Sequence, residues 1–91
     1  MPSFMAREGD DPYRAALERL VREGAATGRR KTFVAVVQEG QGTWLISVPD
    51  LPGARCRVAK RSEMESAARA LIASELQVPA HFFDLHLRFE D

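Results

Sequence analysis

The side chains best suited to chemistry in this chain are one cysteine and two histidines. Cys56, His81 and His86 are residue types that serve as nucleophiles, general bases or metal ligands. With Asp50 to orient a histidine, Cys56 could form a nucleophilic triad, but no local catalytic signature surrounds it. Two histidines without a third ligand make a poor metal site. We therefore expect no enzyme activity, no catalytic residues, no metal and no cofactor.

The alternation of residues around these groups points the same way. His86 alternates with Leu85 and Leu87, which predicts that its side chain lies on the polar face of a strand. Cys56 shares the phase of Val58, which predicts a buried thiol, and buried thiols are usually inert. A metal-dependent nuclease needs inward carboxylates, and the predicted strands supply none at a buried phase.

Basic residues form two clusters that could contact phosphate groups. They are residues 29–31 and the basic strand residues 55–61, which include Arg55 and Arg57. The predicted element order α-β-β-β-α is also that of double-stranded-RNA-binding domains, which contact phosphates and 2′-hydroxyls. Those domains carry basic residues at the start of their last helix, where this chain has the acidic residues 62–65. A solvated strand edge therefore explains the second cluster better, and an RNA-binding module stays an alternative.

Composition limits the class of protein. The 91 residues suit one domain, and 13 basic residues balance 13 acidic ones to a net charge of zero, so nucleic acid is an improbable partner. A single cysteine excludes an intramolecular disulfide and a thiolate zinc site, and it favours a reducing compartment. No apolar run approaches the ~18 residues of a membrane span. We therefore expect a cytoplasmic protein without a membrane partner.

An amphipathic helix is predicted near the N-terminus, over residues 12–23. Asp11 is the expected N-cap, Pro12 occupies the first helical position and Gly24 is the expected stop. The apolar stripe recurs at helical spacing and comprises Tyr13, Ala16, Leu17, Leu20 and Val21. We assign residues 1–31 to a lead-in, this helix and a linker.

The rest of the chain predicts a sheet with one crossover helix. Runs of β-branched and aromatic residues predict four strands, at 32–37, 43–48, 54–59 and 84–90. The first strand is apolar on both faces, which is typical of the interior of a sheet.

The crossover helix is predicted over residues 62–76. Ser62 and Glu65 form the pattern of a capping box at its start, and Pro79 follows its end. A right-handed crossover places the last strand parallel to the first. The expected fold is α+β, α-β-β-β-α-β, with a sheet of order 3-2-1-4, a helix on one face and an extra N-terminal helix.

Residues 42–53 resemble the signature of the HicB-like antitoxins. Glycine, an aromatic residue and alternating apolar residues lead into Pro-Asp-Leu-Pro-Gly. The short strand, the helix rich in alanine and glutamate, and the closing strand follow in the family's order, and the resemblance covers residues 32–91. The chain departs from the family at Ala54, where many members carry cysteine. Because residue 91 directly follows the last strand, we expect a short member without the family's C-terminal DNA-binding domain.

The resemblance implies a binding protein that neutralises a partner ribonuclease toxin by direct protein–protein contact. The residues proposed to contact that partner are Trp44, Asp50, Leu51, Arg55 and Arg57, although residues 49–53 could equally be a rigid corner and Trp44 a core residue. Self-association, most simply as a dimer, is also expected. The residues proposed for the oligomer contact are Tyr13, Leu17, Leu20, Val21, Val34, Val36 and Leu45. The competing hypotheses are an orphan self-associating domain, and a first helix that folds back to complete a monomeric core.

Overall fold

Helices and strands follow one another in the predicted order. The computed structural model describes residues 12–90. The two helices are α1 (Pro12–Thr27) and α2 (Met64–Leu76), and the four strands are β1 (Thr32–Gly40), β2 (Thr43–Ser47), β3 (Arg55–Val58) and β4 (Asp84–Glu90). One-turn 3-10 helices at Arg61–Glu63 and Ala80–Phe82 precede α2 and β4, respectively. No helix among these residues is long and apolar enough to cross a membrane.

The strands form one mixed sheet in the order β3-β2-β1-β4, as predicted. β1 pairs antiparallel with β2 and parallel with β4, and β2 pairs antiparallel with β3. The β1–β2 hairpin turns through Gln41 and Gly42, whose φ angles of 54° and 79° are those of the tight turns that match the twist of a hairpin. The crossover through α2 returns the chain beside β1, which confirms the parallel pairing of the last strand.

Both helices lie on the same face of the sheet. Alternate residues of β1 point towards them, and Phe33, Ala35 and Val37 are fully or almost fully buried. The Phe33 ring meets the Phe83 ring edge to face, with centroids 5.4 Å apart. The remaining buried side chains of this core are Leu17, Val21, Ile46, Val48, Leu51, Ala54, Met64, Ala68, Ile72, Leu76 and Val78.

The first helix is longer than predicted, because Gly24 does not end it. α1 continues to Thr27, and Gly28, with a φ of +80°, is the left-handed residue that follows it. The Arg29 N–H then donates to the Gly24 carbonyl at 2.9 Å. A Cβ on Gly24 would lie 2.4 Å from the Arg29 carbonyl oxygen, so this glycine permits a close chain approach within the helix. The predicted N-cap, Asp11, lies outside the described residues.

Only part of the apolar stripe of α1 is buried in the core. Leu17 and Val21 are buried in the chain's own core, whereas Tyr13 and Leu20 are about half exposed. The Tyr13 hydroxyl donates to the Asp50 carbonyl at 2.7 Å, which ties the start of α1 to the corner between β2 and β3. The helix therefore completes the core of its own chain.

The predicted capping box does not form. α2 begins at Met64, and the residue before it, Glu63, makes no side-chain cap hydrogen bond. Ser62 belongs instead to the preceding 3-10 turn and comes one residue before the N-cap position of α2. The Glu65 carboxylate forms an ion pair with Arg69 Nε at 3.5 Å. The sequence has the pattern of a capping box, but residues 61–63 form a 3-10 turn and the α-helix begins only at Met64.

Candidate functional site

The face of the sheet opposite the helices has an apolar centre. Because residues alternate along a strand, Val34 and Val36 of β1 lie on the side opposite Phe33 and Ala35. The register pairs Val37 with the core residue Ile46, so Leu45 also lies on this side. Within residues 12–90, neither helix covers it. We call this surface the open face and define it by Val34, Val36, Leu45, Arg55, Arg57, His86, Arg88 and Glu90.

Arginines flank the apolar centre from both edges of the sheet. The register places Val36 between Ser47 and Arg88, and Ser47 beside Arg55. One row further along, Leu45 lies beside Arg57. Three guanidinium groups therefore border a strip only four strands wide.

The open face carries an excess of positive charge, although the whole chain is neutral. Two carboxylates lie on this side of β4: Glu90 forms an ion pair with Arg88 Nη2 at 3.2 Å, and Asp84 forms one with Arg30 at 3.3 Å. Arg57 Nη1 donates to the Thr43 hydroxyl at 3.2 Å, a neutral partner that leaves its charge uncompensated. Arg55 is exposed, and its side chain makes no hydrogen bond or ion pair with any described residue. Two of the three positive charges are therefore available to another molecule.

A shallow depression of about 300 Å³ marks the end of this face near the hairpin. Its lining includes Gln38, Leu45, Arg57 and Glu90. The depression thus offers a donor, an acceptor and an apolar wall within a few residues. Such a set suits a protruding side chain of a partner protein better than a large cofactor, which is usually held in a deep enclosed pocket.

The residues predicted to contact a partner do not form one surface. Arg55 and Arg57 lie on the open face, whereas Trp44 packs against the helix-side core. Leu51 is completely buried, so its predicted role in a partner contact is wrong. The Asp50 carboxylate pairs with Lys31 Nζ at 3.2 Å, and its carbonyl accepts the Tyr13 hydroxyl.

These contacts make the corner at residues 49–53 structural. Internal hydrogen bonds close it, since the Leu51 N–H donates to the Val48 carbonyl and the Ala54 N–H to the Leu51 carbonyl, both at 2.9 Å. Sequence alone left the corner open between a rigid turn and a binding loop. The burial of Leu51 beneath it decides for the turn.

The residues predicted for an oligomer contact are also divided. Val34, Val36 and Leu45 lie on the open face, as described above. Leu17 and Val21 are inside the core, so they are not available to a second copy.

The groups considered for catalysis are held apart by the sheet. Cys56 pairs with Ile46 and therefore points to the helix side, where burial raises the pKa of its thiol above the ordinary value. His86 points to the open face, and His81 lies in the 3-10 turn before β4. Among residues 12–90, no three histidine, cysteine, aspartate or glutamate side chains converge to hold a metal ion.

Arg88 and Glu90 are the site residues that sequence reasoning missed. The alternation that places His86 on the polar face of the last strand places both of them there too, but nothing assigned them a role. Two predictions could have identified them. They alternate in step with His86, which puts them on the same face of the strand, and β4 was predicted to lie parallel to β1. Combined, these put Arg88 level with Val36.

Comparisons with known proteins assign no role to the open face. No protein-family model, no curated protein and no solved structure matches the chain.

Proposed function

We propose that the chain is a HicB-like antitoxin-type binding protein of the cytoplasm, which neutralises a partner ribonuclease toxin by direct contact through the open face. One observation carries the proposal: in the described part of the chain, helices cover one side of the sheet only, and the other side has an apolar centre bordered by arginines. An apolar patch with a polar border is characteristic of a protein–protein contact surface.

The apolar centre supplies the favourable burial. Covering a fully exposed leucine or valine side chain contributes roughly 1.5–3 kcal/mol, and Leu45 and Val34 are each partly exposed, so each contributes less than that. Their position at the middle of the sheet puts them where a partner excludes water most completely. We expect Leu45 to dominate, because it borders the depression near the hairpin.

The arginines define the chemistry of the partner surface. A guanidinium group presents a planar set of donors that matches a carboxylate, and arginine is enriched among the residues that dominate binding energy. Arg55 and Arg57 therefore fit a surface that bears carboxylates or carbonyl oxygens. On a ribonuclease, such a surface lies outside the cationic groups that bind phosphate, so neutralisation occurs by covering the toxin and blocking access of RNA.

The proposed protein has no hydrolytic activity of its own. Cys56 and His86 lie on opposite faces of the sheet, and the raised pKa of the Cys56 thiol keeps it in the unreactive protonated form. RNA degradation by the purified chain that is lost in His86→Ala or His81→Ala would contradict this part of the proposal.

RNA binding is the second candidate, and the exposed Arg55 and Arg57 are the observation that favours it. Two features argue against it. Arg61 leaves the basic strand cluster, because its guanidinium lies over the Trp44 and Phe89 rings, 5.8 and 5.1 Å from their centroids. Sheets that bind single-stranded RNA stack bases on exposed aromatic rings, and no described phenylalanine, tyrosine or tryptophan lies on the open face.

Co-expression with the product of an adjacent gene tests the proposal in cells. We expect a short neighbouring reading frame to arrest growth when expressed alone, and co-expression of this chain to restore growth. Leu45→Glu should abolish the rescue, because it places a carboxylate at the apolar centre. Leu20→Glu is the matched control, since Leu20 is an exposed leucine on α1, and it should rescue fully. Equal rescue by both variants would contradict a role for the open face.

A further inference from the structure

The outer edge of β4 presents backbone groups that no strand within residues 12–90 pairs with. β4 is the last strand of the sheet, and its other side pairs with β1. The Asp84 N–H donates to the Lys31 carbonyl at 2.8 Å, so the backbone groups of Asp84 and of every second residue after it point towards β1. Those of Leu85, Leu87 and Phe89 consequently point to the free edge. A strand edge of this kind is a template for pairing with another strand.

The same three residues carry apolar side chains that are incompletely covered. They point to the helix side, level with the fully buried Phe33 and Ala35 of β1. Leu85 and Leu87 are nevertheless only partly buried, and Phe89 is 46% exposed. The helices thus bury the centre of the sheet but leave the apolar side chains of β4 partly exposed.

The two edges of the sheet are protected differently. β3 is four residues long and β4 is seven, and short edge strands are one of the ways in which proteins prevent unwanted pairing. β4 contains no proline and no lysine. It therefore lacks two of the features that discourage strand addition.

We propose that β4 pairs antiparallel with β4 of a second copy of the chain, about a twofold axis that passes beside His86. The two four-stranded sheets then become one continuous eight-stranded sheet. This contact uses the strand edge, and it is independent of whether the open face binds a toxin.

Charge complementarity selects the register. With His86 opposite His86, Asp84 lies opposite Arg88 of the partner subunit, and the twofold axis repeats this pair. On the helix side, Leu85 then lies opposite Leu87 of the partner subunit, and these two residues exchange backbone hydrogen bonds. Oppositely charged residues directly across two strands stabilise their pairing.

The neighbouring registers are unfavourable. Centring the axis on Leu87 places Asp84 opposite Glu90, a pair of like charges that also occurs twice. Centring it on Arg88 places that arginine opposite itself. Registers that shift by a single residue would set backbone groups of the free edge against groups already bonded to β1.

The charged groups have capacity for the additional contact. Asp84 Oδ1 pairs with Arg30 at 3.3 Å, which leaves the second carboxylate oxygen for the partner's Arg88. Arg88 uses Nη2 for Glu90 and retains the other nitrogens of its guanidinium group. The His86 side chain makes no hydrogen bond or ion pair with any described residue, so it can meet its symmetry mate.

Sedimentation equilibrium of the purified full chain tests the proposal by charge exchange. The wild-type chain should sediment at twice its 10.2 kDa mass at micromolar concentration. Asp84→Arg and Arg88→Asp should each halve that mass, because each creates two like-charged pairs across the axis. The double variant should restore the dimer, since it re-creates both pairs with reversed signs.

Two further variants keep the test decisive if Asp84→Arg disturbs folding through its contact with Arg30. His86→Lys places two ammonium groups at the axis and should give a monomer, while the uncharged His86→Gln should stay dimeric. Arg57→Asp reverses a charge on the opposite edge of the sheet and should also stay dimeric. A wild-type monomer, or a dimer that is insensitive to position 86 and to the charge exchange, would overturn the proposal.

Discussion

The helix-covered face and the open face are made by alternate residues of the same strands, yet they are finished differently. In β1, Phe33 and Ala35 are fully buried beneath the helices, whereas Val34 between them keeps part of its surface exposed. In β2, the fully buried Ile46 follows the partly exposed Leu45. One face is closed by two helices of the same chain, and the other has an apolar centre with a charged border.

The difference in coverage suggests separate roles for the two faces: the covered face stabilises the fold, and the open face is the one proposed to bind a partner. The residues of the covered face are held by a core of fifteen buried side chains, and changing them should act on stability. Apart from the buried Val36, the residues that define the open face are partly or fully exposed to water, and under the proposal changing them should act on binding. Substitutions at adjacent positions therefore test the comparison directly, because neighbours in one strand share their backbone environment.

The largest effect is expected from truncation on the covered face. Ile46→Ala leaves a cavity in the core and should lower the free energy of unfolding by about 2–5 kcal/mol. Leu45→Ala, one residue earlier, should lower the free energy of unfolding by less than about half as much. The Leu45 side chain already contacts water, so its truncation leaves no closed cavity. Urea denaturation followed by circular dichroism measures both. Equal losses would mean that the two faces are equally structural.

The next effect concerns the close approach of the linker to α1. Gly24→Ala adds a Cβ where the Arg29 carbonyl oxygen lies 2.4 Å away, and overpacking of this kind costs about 1–3 kcal/mol. The gain in helix propensity, up to about 1 kcal/mol, offsets only part of that cost. We expect a net loss of stability in thermal unfolding. Gly40→Ala is the control, since no atom lies within 4 Å of its added Cβ.

A smaller effect is expected where α1 meets the corner between β2 and β3. Tyr13→Phe removes the hydroxyl that donates to the Asp50 carbonyl at 2.7 Å. A hydrogen bond of this type contributes about 0.5–1.5 kcal/mol, and the half-exposed position of Tyr13 favours the lower end. Leu20→Ala, at a comparably exposed position of the same helix, should change the unfolding midpoint less. A larger effect of Leu20→Ala than of Tyr13→Phe would contradict the assignment of the Tyr13 hydrogen bond as the contact that holds the start of α1.

The smallest effect on stability is expected on the open face itself. Arg57→Ala removes an exposed hydrogen bond to Thr43 and should change the free energy of unfolding by less than about 0.5 kcal/mol. The same variant should weaken binding of the toxin partner. A loss of stability above about 1 kcal/mol would assign Arg57 to the fold, and would weaken the separation of the two faces.

Much of the fold could be predicted from the residues because it depends on local patterns. The hairpin follows from turn residues between two β-branched runs, and the position of β4 follows from a helix that must cross over with a right-handed sense. The ends of α1 and α2 were less predictable. Gly24 resembles a stop signal, and only the position of the Arg29 carbonyl reveals why a glycine stands inside the helix.

The candidate site was only partly predictable for a physical reason. Which face of a strand is covered depends on where the helices pack, and a strand that is apolar on both faces, like β1, does not decide this by its own pattern. Trp44 and Leu51 were proposed with Arg55 and Arg57 as contacts to a partner, Trp44 as an anchor and Leu51 as part of a binding loop. Both pack with the helix-side core, whereas Arg57 lies on the other face beside Leu45, in a row that continues through Gln38 to Glu90.

The measurement that tests the central claim most directly is a calorimetric titration of the toxin-like neighbouring gene product into this chain. Wild type and Leu20→Glu should bind with the same dissociation constant, because Leu20 lies on the helix side. Leu45→Glu should weaken binding at least about tenfold, which corresponds to about 1.4 kcal/mol, while keeping its unfolding midpoint close to that of wild type. Equal affinities for the two glutamate variants would contradict the assignment of the open face as the binding surface.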